Sequence, residues 1–148
     1  MYLTRLSLTN FRNFARMDVE VPPGQLLLVG ANAQGKTSLL EAIYFLATFV
    51  SFHATNERQL INMWAKREPL AGGRIQASFC RQQGEGVYAQ AKTHQLEVKI
   101  ILDDSQGNGS ARLRKEIKLD GVKRKISEVI GQFNAVLFLP QMLRTEQH

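Results

Sequence analysis

The sequence has little cysteine, no long apolar run and no low-complexity stretch. Cys80 is the one cysteine among 148 residues, so the chain cannot form an internal disulfide or a multi-cysteine zinc site. No stretch reaches the roughly 18 to 20 consecutive apolar residues of a membrane-spanning helix, and the charged and polar N-terminus is unlike a signal peptide. We therefore expect a soluble, cytoplasmic protein in which Cys80 is a half-buried thiol on a strand.

The composition that remains is globular, with an excess of positive charge. Hydrophobic residues make up 44% of the chain, which is enough to cover the core of one domain of this length. The 19 Lys and Arg against 13 Asp and Glu leave a net charge of +6, which favours polyanionic partners such as nucleotides or nucleic acids. Charge alone does not choose between these two partners.

Hydrophobic periodicity in the first part of the chain predicts a hairpin, a buried strand and a helix. Residues 2–8 and 18–21 alternate between apolar and polar and predict two paired strands. The nearly all-apolar run 25–29 predicts a central strand covered on both faces. Apolar residues at spacings of three and four predict a helix over 36–48 that packs on a sheet.

The later part of the chain predicts an antiparallel meander. It follows a short predicted helix over 57–66 and a break at Gly72-Gly73. Asp120-Gly121 is a strong signal for a two-residue hairpin. We also expect a short helix over 127–132, capped by Ser127, and a buried strand over 135–139. The alternating segments that predict the meander strands are 75–79, 86–92, 96–102 and 111–119.

The segment between the apolar run and the first helix has the spacing of a phosphate-binding loop, G-x-x-x-x-G-K-T. Two glycines permit a backbone path whose N–H groups face phosphate oxygens, and the helix that follows adds its dipole. Lys36 would place its ammonium against the β- and γ-phosphates, and Thr37 would give its hydroxyl to Mg²⁺. A turn that merely joins a strand to a helix is the alternative, but it does not account for all the constrained positions in this context. We predict ATP with Mg²⁺ as the ligand of Gly30, Ala31, Asn32, Ala33, Gln34, Gly35, Lys36 and Thr37.

Motifs on both sides of this loop resemble the RecF family of DNA replication and repair proteins. They are LSLTNFRNF at 6–14, LLEAIY at 39–44 and VLFLPQ at 136–141, in the same order as in the family. The resemblance implies an α/β fold, the P-loop NTPase core of an ABC- or SMC-type ATPase head, carrying an antiparallel β meander. It also implies heads that dimerise with ATP between them, loading onto single-stranded or gapped DNA, and recombination-mediator partners.

The resemblance assigns roles to further residues. Arg12 and Asn13 look like a nucleotide-contacting pair, and Gln141 is a candidate for the position that senses the metal. Arg12 also has a physical basis, since it can reach a phosphate from a turn beside the loop; the alternative is a solvated turn arginine. Two departures are the aromatic residues within 48–55, where the family has arginines, and Met142, where the family tends to have an acidic residue.

The resemblance covers only the first part of such a head. The chain ends at His148, before the family's signature motif and Walker B carboxylates, and we find no second segment that supplies the acidic residues needed for water attack. Glu41 is expected to point to solvent. We therefore expect a chain that binds ATP but hydrolyses it poorly, divided into a phosphate-loop core (1–70), a β lobe (71–125) and a return helix and strand (126–148).

Basic residues cluster around the predicted 120–121 hairpin and could form a face that follows a nucleic-acid backbone. A solvated strand edge, where charge discourages aggregation, is the alternative. Two other functions stay open: a protein-interaction module with exposed sheet edges, and a small-molecule kinase, which the predicted meander disfavours. The cluster comprises Arg112, Arg114, Lys115, Lys118, Lys123, Arg124 and Lys125.

Overall fold

A six-stranded antiparallel sheet organises the chain. The computed structural model describes residues 1–31, 35–52, 56–62, 70–103 and 112–139. The strands are β1 (Tyr2–Phe11), β2 (Phe14–Glu20), β3 (Leu70–Gln83), β4 (Gln90–Asp103), β5 (Arg112–Leu119) and β6 (Val122–Arg124). Their order in the sheet is β2-β1-β3-β4-β5-β6. The helices are α1 (Lys36–Thr48) and α2 (Ile126–Val129), with 3₁₀ turns at Glu57–Leu60 and Gly86–Tyr88. No helix among these residues is long and apolar enough to cross a membrane.

One face of the sheet is apolar and packs against α1. Because successive side chains on a strand point to opposite faces, every second residue of β1, β3, β4 and β5 contributes to a single core. Ala42, Phe45 and Leu46 of α1 cover this core, each at most 1% exposed. The sheet residues of the core are Leu6, Leu8, Phe11, Ala71, Ile75, Ala77, Phe79, Leu96, Val98, Ile100 and Ile117.

The other face, called here the open face, carries polar and charged side chains. Arg5 Nε donates to Asp18 Oδ1 over 2.8 Å across the β1–β2 pair. Hydrogen bonds from Arg5 and Ser7 lower the pKa of Asp18 to about 2. Arg74 and Glu97 form a looser pair at 3.5 Å. An exposed ion pair such as Arg5–Asp18 contributes little to stability, because water screens the two charges.

The β5–β6 turn is held by a histidine that the sequence did not single out. Asp120 and Gly121 both have positive φ, 52° and 79°, which is the geometry of a two-residue hairpin and confirms that prediction. His94, 7% exposed, lies with Nδ1 2.8 Å from Asp120 Oδ2. Burial acts to raise the pKa of Asp120, but the hydrogen bonds from His94 and from the Gln95 amide outweigh it, and the pKa is lowered. The stability that this lowered pKa contributes is present near neutral pH and is lost as the pH falls below about 4.

The strand predictions for the two apolar runs are wrong. Residues 25–29 and 135–139 form no strand, and Leu27 and Val136 are 84% and 101% exposed. A strand needs hydrogen-bonding neighbours, and no strand of the described chain runs beside either segment. Their sequences are typical of strands, but the partners that would complete them are not among the described strands.

Local turn chemistry explains the other corrections. The predicted strand 86–92 begins only at Gln90, because Gly84 and Gly86, both at positive φ, close the long β3–β4 hairpin. The helix α2 begins at Ile126, since the Glu128 carboxylate accepts from the Lys125 amide, so Ser127 lies inside it.

Four other predictions can be compared directly. Residues 57–60 form a 3₁₀ turn that ends before Ile61, whereas the predicted helix continued to 66, and Gly72-Gly73 lies within β3. Residues 63–66 of the predicted helix lie outside the described part of the chain. The predicted helix over 36–48 and a partly buried Cys80 on β3 are confirmed.

Candidate nucleotide-binding site

The phosphate-type loop lies where the chain enters α1. Lys36 Nζ donates to the carbonyl oxygen of Gly30, so the ammonium folds back across the loop. The first turn of α1 contains no acidic residue. Its N-cap is Gly35, which has no side chain to accept hydrogen bonds from the first N–H groups of the helix. A helix N-terminus of this kind, with N–H groups and a positive dipole end beside a lysine, favours an anion. Asn32, Ala33 and Gln34 lie outside the described residues.

Gly35 is a position where any side chain would be strained. Its φ is 94°, and a Cβ built there would lie 2.5 Å from Cζ of Phe14 and 3.3 Å from Nδ2 of Asn13. A side chain would therefore meet both backbone strain and a clash. The same distances show that the exposed amide of Asn13 lies beside the loop. Its predicted contact with nucleotide stays a prediction.

The β1–β2 turn that carries Asn13 is fixed through Arg12. Arg12 has a φ of 53°, and its backbone N–H donates to the Leu60 carbonyl over 2.7 Å. Its own carbonyl accepts from Asn62 Nδ2, also over 2.7 Å, and Asn62 is 5% exposed. Buried hydrogen bonds on both sides of one residue hold this turn in place against the segment 60–62.

Arg12 also forms a bidentate ion pair with Glu41, which corrects the prediction that Glu41 points to solvent. Arg12 Nε and Nη2 donate to Glu41 Oε1 and Oε2 over 2.7 and 2.9 Å. Ser51 Oγ donates to Oε2 over 2.7 Å, and the Glu41 side chain is 2% exposed. The carboxylate is buried because three donors satisfy it. The predicted contact between Arg12 and nucleotide stays a prediction, and the Arg12 side chain is 21% exposed.

The described residues offer Mg²⁺ too few ligands to bind it alone, but they fit an Mg²⁺ ion that is bound together with the nucleotide. Thr37 is exposed on the first turn of α1, where its hydroxyl is a suitable oxygen ligand. No cluster of three acidic, histidine or cysteine side chains able to hold a metal exists within the described ranges. Phosphate oxygens and water would supply the other ligands, and the ion would neutralise phosphate charge. Gln141, the second predicted metal residue, lies outside the described part of the chain.

The predicted basic cluster does not form one face. Lys115 faces α1, with Nζ 2.8 Å from Glu57 Oε1 and 5.8 Å from the centre of the Phe45 ring. Arg124 pairs in register with Ile117 and so lies on the α1 side, and Lys125 is the N-cap of α2. The alternation of β5 and β6 leaves four cluster members on the open face, namely Arg112, Arg114, Lys118 and Lys123.

These features define a phosphate-type loop on an α/β head, and comparison with known proteins places the chain among such heads. The family model described as RecF/RecN/SMC N terminal domain matches residues 2–146, so the chain belongs to this family. The predicted fold, the N-terminal part of an ATPase head with an antiparallel sheet, is confirmed.

Curated relatives narrow the family to RecF, which confirms the predicted resemblance. The DNA replication and repair protein RecF of Herpetosiphon aurantiacus is 35% identical over 146 residues, which cover 97% of this chain and 36% of that protein. RecF of Lacticaseibacillus casei is 38% identical over 144 residues, or 97% of this chain and 33% of that protein. The chain thus spans about a third of the length of the curated relatives it matches.

A solved structure of a recombination mediator protein also resembles this chain. It is RecF-ATP in the RecFOR pathway, with a TM-score of 0.64 and 30% sequence identity. The match covers 95% of this chain and 33% of that one.

Proposed function

We propose that the chain is the nucleotide-binding part of a RecF-like replication and repair protein, and that residues 30–37 hold the phosphates of ATP with Mg²⁺. The observation that carries this proposal is the geometry of Lys36, whose ammonium folds over the loop at the start of α1. Gly35 supports it, because its φ of 94° is the left-handed conformation that the glycine of such a loop supplies at the entry to the helix. The RecF-ATP relative supports ATP as the nucleotide.

The ammonium of Lys36 would exchange the Gly30 carbonyl for phosphate oxygens. A carbonyl oxygen carries only a partial negative charge, whereas a phosphate oxygen carries a formal one, so the exchange adds a full charge–charge attraction to the hydrogen bond of the ammonium. The N-terminal dipole of α1 and the ammonium of Lys36 would then both attract the phosphates of the nucleotide. The binding free energy should therefore depend on the number of phosphates.

This dependence predicts an order of affinities. ATP should displace a fluorescent ATP analogue from the chain most effectively, followed by ADP, AMP and adenosine. We expect AMP and adenosine to bind at least roughly 10-fold more weakly than ATP, since each lost charged contact costs about 1.5–3 kcal/mol. Displacement titrations with Mg²⁺ measure this order. If adenosine competed as well as ATP, the loop would not be the binding determinant.

The open face near β5 and β6 is our candidate DNA interface. Lys118 and Lys123 lie directly opposite each other, although like charges in register are destabilising. Arg114, Glu116 and Lys118 are every second residue of β5, so Arg114 lies on the same face as Lys118. Lys123 Nζ also lies 3.6 Å from Glu116 Oε1, which offsets part of the repulsion between the two lysines. A single-stranded or gapped DNA backbone would bind this face through its phosphates, and contacts of this kind follow phosphates rather than bases.

The DNA proposal predicts an effect confined to one face. Lys118→Ala should weaken binding of a single-stranded oligonucleotide and lower the slope of log affinity against log salt by about 0.7 for each lost phosphate contact. Arg124→Ala is the matched control, because it removes the same charge from the opposite face of the β5–β6 hairpin. Fluorescence anisotropy over a salt series measures both. Equal losses for the two variants would show that the effect comes from net charge alone.

The RecF-like assignment carries further proposals for the protein. They are ATP-dependent pairing of two copies, recombination-mediator partners, a cytoplasmic location, and division into the segments 1–70, 71–125 and 126–148. Weak hydrolysis by this chain stays a prediction. The two ATP-site residues Arg12 and Asn13 belong to the same proposal, and they are supported by the position of their turn beside Gly35.

A further inference from the structure

We propose that Glu41 is a positioning residue of the nucleotide site, which orients Arg12 so that the free end of its guanidinium meets a phosphate. This inference rests on the proposed ATP function and adds a residue to it. Glu41 itself would not touch the nucleotide. Its carboxylate acts through the bidentate pair with Arg12.

The pair determines which donors of Arg12 remain available. Nε and Nη2 are directed at the two Glu41 oxygens, and Nη1 has no hydrogen-bond partner within the part of the chain that the structure describes. The fork geometry of a guanidinium fixes the direction of Nη1 once the other two nitrogens are held. The side chain is still 21% exposed, so an oxygen ligand can reach it.

Burial keeps Arg12 in this orientation. Glu41 is 2% exposed at its side chain, and Arg12 is the only cation paired with it among the described residues. If Arg12 turned away to bind a ligand elsewhere, a buried carboxylate would lose its compensating charge, which is strongly unfavourable. Arg12 should therefore bind nucleotide from its present position, and Glu41 should remain its partner in the bound state.

The location of the turn completes the argument. Arg12 is followed directly by Asn13, whose Nδ2 lies 3.3 Å from the position that a Gly35 Cβ would take. Backbone bonds to Leu60 and Asn62 hold the turn there. A turn fixed beside the loop by its backbone, with its arginine held by Glu41, presents two neighbouring polar side chains at the start of α1.

Titration of the chain with a fluorescent ATP analogue and Mg²⁺ tests the proposal. Glu41→Gln keeps the shape of the side chain but removes its charge, and we expect roughly 3- to 10-fold weaker binding. Arg12→Lys keeps the positive charge beside Glu41 but lacks the fork, and we expect a similar loss. Because Glu41 acts through Arg12, the double variant should bind no more weakly than Arg12→Lys alone. Glu97→Gln, which loosens the Arg74 pair on the open face, is the matched control and should bind like the wild type.

The outcomes separate this inference from the function on which it rests. If Lys36→Ala loses binding while Glu41→Gln keeps wild-type affinity, ATP binding stands and the positioning role is wrong. Tighter binding by Glu41→Gln would also overturn it, because Glu41 would then be restraining Arg12. Independent, multiplying losses for Glu41→Gln and Arg12→Lys would overturn it as well. If Lys36→Ala binds like the wild type, the proposed function itself fails. A thermal melt of each variant confirms that the compared proteins are folded.

Discussion

Replacing Arg12 by alanine is expected to lower the free energy of unfolding by about 3–5 kcal/mol, because it leaves the buried Glu41 carboxylate without its counter-ion. Glu41 is 1% exposed as a residue, and two of its three hydrogen-bond donors belong to Arg12. The loss is large against the roughly 5–15 kcal/mol that stabilise an ordinary domain. Urea unfolding followed by circular dichroism measures it.

An exposed pair in the same hairpin provides the control. Arg5 pairs with Asp18 in a similar bidentate manner, but their side chains are 53% and 40% exposed. Arg5→Ala should therefore lower the free energy of unfolding much less than Arg12→Ala, because water already screens the exposed pair. The double variant Arg12→Ala, Glu41→Leu should recover most of the loss, since apolar replacements of buried pairs are often near neutral. If Arg12→Ala costs no more than Arg5→Ala, the burial of Glu41 does not hold in solution.

Much of the sheet and the first helix could be predicted because local sequence specifies them. The β1–β2 hairpin follows from alternation on both sides of a polar turn, and Asp120-Gly121 marks the β5–β6 hairpin by itself. The helix α1 follows from apolar spacing after Gly35. The phosphate-type loop was found by the same means, since its glycines and lysine are contiguous in the sequence.

The ion pair at the centre of the site could not be predicted, because its partners are 29 residues apart. Helical periodicity places Glu41 on a polar position, and only the packing of the β1–β2 turn on α1 shows that the position is buried. The predictions of strands over 25–29 and 135–139 were wrong for a related reason. The apolar composition of a segment does not show whether another strand lies beside it to form hydrogen bonds. The division of the basic cluster between two faces could have been predicted, because consecutive residues of a strand point to opposite faces of the sheet. Lys115 and Arg114 are consecutive on β5 and so lie on different faces.

The second large expected effect concerns the lysine of the loop. Lys36→Ala removes an ammonium that folds over the loop at the N-terminus of α1. A charged hydrogen bond to phosphate is worth about 1.5–3 kcal/mol, so the affinity for ATP should fall roughly 10- to 150-fold. The fold should tolerate the change, because Lys36 is half-buried and its bond goes to a backbone carbonyl at the edge of the loop.

Isothermal titration of ATP and Mg²⁺ into the wild-type chain, Lys36→Ala and Lys92→Ala tests the phosphate-binding role of the loop most directly. Lys92 is the matched control, since it is an exposed lysine on β4 whose removal changes the net charge equally. We predict that the wild type and Lys92→Ala bind ATP with the same affinity and that Lys36→Ala binds at least roughly 10-fold more weakly. Equal affinity of Lys36→Ala and the wild type would contradict the account.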